Sequence, residues 1–226
     1  MFLYYITDRK QLSADPRTSE RLLLERIRAA AEAGVDAIQL RERDLGTRPL
    51  TELGLRVAEI LESVSGPGAR TRLLLNSRTD IAVACRADGV HLRSDDVTPA
   101  DARAVLVAAG VERPIVGISC HTQREVELAA GHGADFCVFG PVFEKAGASS
   151  AGLEMLAQVC RQVKRAAGLF HVLALGGVTL ENAAECLRAG AGGIAGIRLF
   201  QTGNMAEIVK RLRGQGTGGR EVTGNR

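Results

Sequence analysis

Eight times along the chain, a short run of aliphatic and β-branched residues is followed by a longer Ala/Leu/Glu/Arg stretch of helical character. The strand candidates are Phe2–Thr7, Ala37–Arg43, Arg72–Asn76, Gly89–Ser94, Ile115–Cys120, Phe136–Phe143, His171–Gly177 and Gly193–Phe200. Helices are predicted near 18–33, 50–63, 78–86, 99–109, 122–131, 152–166, 179–189 and 204–213, several of them opened by Asp, Ser or Thr. Strand–helix units repeated in this way without an obvious linker fit an α/β fold, a single TIM (β/α)8 barrel over residues 1–213, better than an open doubly wound sheet.

A recurring phrase supports the barrel. Ala33-Gly34-Val35-Asp36-Ala37, Arg86-Ala87-Asp88-Gly89-Val90, His132-Gly133-Ala134-Asp135-Phe136 and Ala189-Gly190-Ala191-Gly192-Gly193 each read as a helix that stops and re-enters a strand. The alternative, a flavodoxin-like or Rossmann sheet, is weakened because no Gly-x-Gly-x-x-Gly follows the first strand. Residues 214–226 are Gly-rich and polar and read as a flexible C-terminal tail.

Composition narrows the class further. With 226 residues, 46% hydrophobic and 24% charged, the chain can bury roughly 70% of its unfolded surface without disulfide or metal staples. Basic and acidic residues number 29 and 26, a net charge of +3, too even for a nucleic-acid or membrane surface. The five cysteines are odd in number and irregularly spaced, with no Cys-x-x-Cys pair, which fits a reducing cytoplasm and core or outward strand positions. The opening Met-Phe-Leu-Tyr-Tyr-Ile-Thr-Asp has no basic start and no run approaches the ~18 apolar residues of a membrane span, so a cytoplasmic location is expected.

In such a barrel the working side chains come from the carboxyl ends of the strands. In the second strand Gln39, Arg41 and Arg43 share one face at period two, which points three polar groups into the mouth. Buried guanidiniums need an anion, either an internal network with Glu42, Asp44 or Asp95, or a ligand. Asn76, Ser77, Arg78 and Asp80 end the third strand and His91 to Asp96 the fourth, so amide, hydroxyl, carboxylate and guanidinium groups meet at one rim suited to a polyphosphate. Asp80 and Asp96 read as a helix-start dipole partner and an N-cap, and Thr122 as another cap. In the fifth strand Ser119 and His121 share a face, a hydrogen-bond donor beside a candidate general base. His91, His132 and His171 read as outward strand, turn and strand start. The stretch 140–150 is a Gly/Ser/Ala-rich loop whose single cation is Lys145. Gly176, Gly177, Gly196, Ile197 and Arg198 end the last two strands, where loops often offer backbone N–H groups to a phosphate, although a plain tight turn also explains the glycine pair.

These residues resemble the thiamine phosphate synthase and thiazole tautomerase (TenI) family. The matching phrases are Tyr5-Ile6-Thr7-Asp8, Gln39-Leu40-Arg41-Glu42-Arg43, Leu75-Asn76-Ser77-Arg78-Thr79-Asp80, Ala87-Asp88-Gly89-Val90-His91-Leu92, Gly117-Ile118-Ser119-Cys120-His121-Thr122, Phe139-Gly140-Pro141-Val142-Phe143 and Leu175-Gly176-Gly177-Val178-Thr179, in family order. The resemblance implies a barrel enzyme joining hydroxymethylpyrimidine pyrophosphate to a thiazole phosphate with release of pyrophosphate. It also implies that Gln39, Arg41, Asn76 and Lys145 hold the pyrimidine and pyrophosphate, and that Mg2+ sits at Asp95 and at Ser77, where the family usually has a second Asp. Small-molecule phosphates are the expected partners, and the sequence leaves the oligomeric state open, a homodimer included.

The chain departs from the synthase pattern in places. Arg43 stands where the family has Lys, which keeps the charge but changes its donor geometry. Residues 144–148 replace a Pro-Thr-x-Thr-Lys phrase, and Arg198 replaces a small polar residue near the thiazole phosphate. Two alternatives therefore stand beside the synthase: a thiazole tautomerase using His121 as acid and base, and a phosphate-binding paralogue without turnover.

Overall fold

The computed structural model describes residues 1–64, 66, 70–143, 150–166 and 170–217. Eight parallel strands, β1 (Phe2–Ile6), β2 (Ala37–Leu40), β3 (Arg72–Asn76), β4 (Gly89–Leu92), β5 (Ile115–Cys120), β6 (Phe136–Phe139), β7 (His171–Ala174) and β8 (Gly193–Gly196), pair in chain order, and β8 closes on β1. The helices are α1 (Pro16–Glu32), α2 (Thr47–Ser63), α3 (Thr79–Ala84), α4 (Pro99–Ala108), α5 (Gln123–Gly131), α6 (Gly152–Ala166), α7 (Ala183–Arg188), α8 (Arg198–Gln201) and α9 (Met205–Thr217). The expected (β/α)8 barrel is thus the fold found.

Strand alternation divides the core. Tyr4, Ile6, Ala37, Leu74, Phe136, Val138, Leu173 and Ala195 point inward and fill the cylinder. Their neighbours, among them Tyr5, Ile38, Leu40, Leu73, Leu75 and Val90, face the helix ring. The five cysteines are all buried, in line with the core positions expected. Thr122 forms a capping box with Glu125 at the start of α5, and Asp15 and Thr98 cap α1 and α4.

The recurring Asp has a definite task at the amino end of the barrel. Asp36 accepts from the Leu3 amide at 2.6 Å, Asp88 from Leu73 at 2.8 Å and Asp135 from Val116 at 2.7 Å, so each carboxylate satisfies the neighbouring strand's free N–H. Arg213, Arg72 and Arg103 pair with these carboxylates from outside. In the fourth repeat Gly192 replaces Asp, and a Cβ there would stand 3.0 Å from His171 Nδ1.

Several boundaries differ from expectation. Four strands stop three or more residues early, at Leu40, Phe139, Ala174 and Gly196; strand-like residues continue upward after the first three ladders end, and helix α8 follows the fourth. At β6 the ladder stops where Pro141 has no N–H to give. The rim segments still lace together, Val142 N–H donating to Leu175 O at 2.8 Å and Phe143 N–H to Gly176 O at 3.1 Å. Helix α9 runs through 214–217, which belong to the fold rather than to a tail, and Gln215 donates to the Leu180 carbonyl at 2.7 Å. Residues 218–226 lie outside the described residues.

Candidate active site

On the β2–β5 side of the mouth, inward positions carry polar groups instead of aliphatic ones. Gln39, buried at 2% exposure, donates to Asn76 Oδ1 at 2.8 Å, and Asn76 Nδ2 donates to Ser77 Oγ at 3.2 Å. Ser77 sits at φ 59°, a left-handed conformation that turns the chain out of β3. Its N–H donates to the His91 carbonyl at 2.8 Å.

His91 corrects one expectation: it points into the barrel, not outward. Gly89 and His91 occupy inward positions on β4 while Val90 and Leu92 face the helices, and with both faces buried no apolar–polar alternation marks the difference. The imidazole is 2% exposed, packed among Tyr4 and Phe136 at ring separations of 5.5 and 5.9 Å. Burial pushes its pKa down to about 3 against the opposing pull of the Asp96 charge, so the ring is neutral. Its two nitrogens reach Tyr4 Oη at 3.2 Å and Ser119 Oγ at 3.0 Å.

The acids beside the β2 arginines are engaged elsewhere. Arg9 holds Glu42 at 3.0 Å and grips Asp44 through two bonds at 2.7 and 2.9 Å. Thr7 Oγ1 donates to Glu42 at 2.6 Å and accepts the Arg41 amide at 2.9 Å, which fixes the backbone from which Arg41 projects. The Arg9 hydrogen bonds hold the Asp44 carboxyl down to about 2, while burial raises that of Glu42 in spite of Thr7 and Arg9. Among the described residues no carboxylate pairs with the Arg41 or Arg43 side chain. Arg41 is half-buried, whereas Arg43 is exposed in the turn after the shortened β2. The internal ion-pair network is therefore real but is centred on Arg9, and it leaves the two rim cations uncommitted.

Across the mouth lies a cleft of about 880 Å³ between the β5–β6 rim and the ends of β7 and β8. His121, Gly176, Gly177, Gly196, Ile197 and Arg198 all line it, with Val178, Leu180, Leu199 and Ile208 supplying apolar wall. Gly176 (φ 93°) and Gly177 (φ 65°) hold left-handed conformations, and a Cβ on Gly176 would meet Pro141 at 2.5 Å, so a side chain is excluded there on two grounds. The amides of Gly176, Gly177, Ile197 and Arg198 donate no hydrogen bond within the described residues. Free N–H groups beside an exposed Arg198, whose side chain pairs with no acid among the described residues, make an anion-accepting corner. His121 bonds through Nδ1 to the Gly140 carbonyl at 2.7 Å. A carbonyl only accepts, so Nδ1 carries a proton, and it is Nε2 that is left to exchange one at the cleft.

The acids of the rim fall differently from expectation. Asp95 is exposed and pairs with Arg93 at 3.3 Å. The carboxylate turned toward Ser77 is Asp96, read from the sequence as an N-cap although Thr98 caps α4. Burial works against its ionisation, but the Ser77 hydroxyl and the Arg93 N–H and guanidinium outweigh it and keep its pKa low. Asp80 pairs with Arg78 in the first turn of α3, as its helix-start reading expected. Among the described residues no three His, Cys, Asp or Glu side chains converge on one point. One carboxylate and one hydroxyl suit Mg2+ only when substrate phosphate oxygens and water complete its shell, the usual arrangement for that ion. Lys145 lies outside the described residues.

A model of the family described as thiamine monophosphate synthase matches residues 3–200. The chain belongs to that family. A putative thiamine-phosphate synthase of Geobacter sulfurreducens is 38% identical over 197 residues, covering 85% of this chain and 83% of that protein. The thiamine-phosphate synthase of Syntrophomonas wolfei is 37% identical over 197 residues, covering 85% of each. Among solved structures, a thiamine phosphate pyrophosphorylase from Pyrococcus furiosus superposes with a TM-score of 0.76 at 29% identity, covering 95% of this chain and 94% of that one. Tyr4 in the barrel interior and Thr7 at the rim are not singled out by the sequence, in which His91 reads as an outward strand residue and Asp96 as an N-cap. The signal for His91 is Gly117, its register partner on β5, whose missing side chain leaves room for the ring.

Proposed function

We propose that the chain is a thiamine phosphate synthase, a transferase that joins hydroxymethylpyrimidine pyrophosphate to a thiazole phosphate. The observation that carries this reading is the two-sided mouth: the Gln39–Asn76 pair with half-buried Arg41 and exposed Arg43 following it on β2, neither paired with a carboxylate among the described residues, on one side, and a cleft with free amides and Arg198 on the other. Two anionic substrates require two such half-sites.

In the reaction the pyrimidine methylene–oxygen bond breaks toward pyrophosphate and the thiazole nitrogen's lone pair forms the new carbon–nitrogen bond. No net proton transfer is needed, so catalysis is electrostatic. Arg41 and Arg43, with Lys145 from the loop, meet the charge that grows on the leaving group. Gln39, Asn76 and Ser119 orient the pyrimidine, while Gly176, Gly177, Gly196, Ile197 and Arg198 anchor the thiazole phosphate. Asp96 and Ser77 would hold Mg2+ together with pyrophosphate oxygens, and the ion would supply further positive charge to that group.

Thiazole tautomerisation is a second reading, favoured by the fixed Nδ1–H of His121 and the Nε2 it leaves to exchange a proton at the cleft. Incubating the purified protein with both synthase substrates and Mg2+, then separating the products, decides between them. Thiamine phosphate and pyrophosphate in equal amounts are expected. Isomerisation of a thiazole carboxylate phosphate without the coupled product would replace the synthase by the tautomerase.

A further inference from the structure

The buried Tyr4–His91–Ser119 chain crosses the barrel from β1 to β5 and ends at the mouth. Its direction follows from counting donors. The Tyr4 hydroxyl is fully buried, and His91 Nδ1 is its only hydrogen-bond partner among the described residues. If Nδ1 carried the proton and donated to Tyr4, the phenolic O–H would be left in the core without an acceptor, which folded proteins avoid. Tyr4 O–H therefore donates to Nδ1. The neutral ring then has its proton on Nε2, and Nε2–H donates to Ser119 Oγ.

With that lone pair occupied, the Ser119 hydroxyl proton has no acceptor within the described protein, and Ser119 is half-exposed at the rim. We propose that Tyr4 and His91 are positioning residues that fix the Ser119 hydroxyl as a hydrogen-bond donor aimed at an acceptor atom of the bound substrate. The barrel interior is built to hold this order. The His91 ring packs between Tyr4 and Phe136, and Gly117 leaves the space that it fills. The serine's use in turnover rests on the synthase reading, whereas the direction of the chain does not.

The test has two arms. In the protein without substrate, 15N spectra of labelled histidine should show His91 with an unprotonated Nδ1 and a protonated Nε2. The reverse tautomer overturns the proposal whatever the enzyme's activity. In the kinetic arm Tyr4→Phe, which removes one oxygen and keeps the packing, should lower kcat/KM about three- to tenfold, the scale of one neutral hydrogen bond. The same substitution in a Ser119→Ala background should cost nothing further, because the coupled group is gone. His91→Gln, which restores an N–H donor, should retain more activity than His91→Leu. An equal Tyr4→Phe loss with and without Ser119 would reduce Tyr4 and His91 to packing residues and overturn the proposal. Absence of any thiamine phosphate from the wild type would instead sink the synthase reading, and the spectra would still decide the tautomer.

Discussion

Gly117 on β5 and His91 on β4 are register partners, and a Cβ on Gly117 would stand 2.8 Å from His91 Nδ1 and 2.4 Å from the Phe136 ring. The glycine is thus the void into which the buried imidazole fits. Gly117→Ala overpacks a closed interior and should cost about 1–3 kcal/mol, read as a lower denaturant midpoint with an unchanged slope. Because the intruding methyl displaces the ring that meets Ser119, kcat/KM should also fall under conditions where the variant remains folded. A variant of full stability and full activity would show that His91 is free to move aside.

The same imidazole makes stability depend on pH. His91 titrates at about 3 when folded because burial disfavours its charged form, against an ordinary value of 6.5. Between those values the unfolded chain binds the extra proton, so stability rises with pH and is lost as pH falls from 6.5 toward 3. The contribution is about 1.4 kcal/mol per pH unit at most. Unfolding free energies measured across that range should show a shallower slope for His91→Gln than for the wild type. Equal slopes would mean that the wild-type ring protonates without leaving its place.

How far the chain could be read from sequence alone follows from which signals survive folding. The turns at Asp36, Asp88 and Asp135 are legible because each encodes a local act, a helix stop followed by a carboxylate that pairs with the preceding strand's amide. Gln39 and Asn76 were legible because a polar residue at an inward strand position is conspicuous. His91 was misplaced because β4 is buried on both faces, and nothing in Gly89–Leu92 distinguishes the cylinder from the helix layer. Asp95 and Asp96 are adjacent, and which one turns toward Ser77 is decided by the turn at Arg93, whose N–H donates to the Asp96 carboxylate at 2.8 Å. Strand ends were overestimated because rim segments such as 140–143 keep an extended, apolar character after regular pairing has stopped.

Glu42 should be the most stability-sensitive acid of the rim. It is 3% exposed and joins Thr7, Arg9 and, through them, the Arg41 backbone. Glu42→Ala leaves the buried Arg9 with Asp44 alone and should cost about 3–5 kcal/mol by chemical denaturation, the usual loss when one partner of a buried pair is removed. The double variant Arg9→Met/Glu42→Leu should be less destabilised than Glu42→Ala, since no buried charge is stranded. A smaller loss in the single variant would mean that water reaches Arg9.

Arg41 is placed to act rather than to hold the fold, being half-buried without a carboxylate partner among the described residues. Arg41→Ala should therefore leave the thermal midpoint nearly unchanged while lowering kcat by roughly 10²–10³-fold, the scale of a lost preorganised donor at a charged transition state. Arg41→Lys should recover part of that loss, because it restores charge without the planar fork. A wild-type rate in Arg41→Ala would remove Arg41 from the leaving-group site.

Ser77 and Asp96 offer the sharpest test of where the metal is held. A single carboxylate beside a hydroxyl binds Mg2+ weakly until phosphate oxygens arrive, so the protein should show little affinity for the ion alone and more in the presence of pyrophosphate. Ser77→Asp adds a second acid at a left-handed position that Asp tolerates well, and should tighten Mg2+ binding by about tenfold or more in calorimetric titrations. Without metal the two like charges should raise the Asp96 pKa, so the gain should shrink as pH falls through the carboxylate range. Asp96→Asn should abolish the pyrophosphate-dependent binding, whereas Asp95→Asn, altering an exposed acid already paired with Arg93, should leave it intact. The opposite ranking of the two Asn variants would return the site to Asp95 and require the Arg93 turn to rearrange when substrate binds.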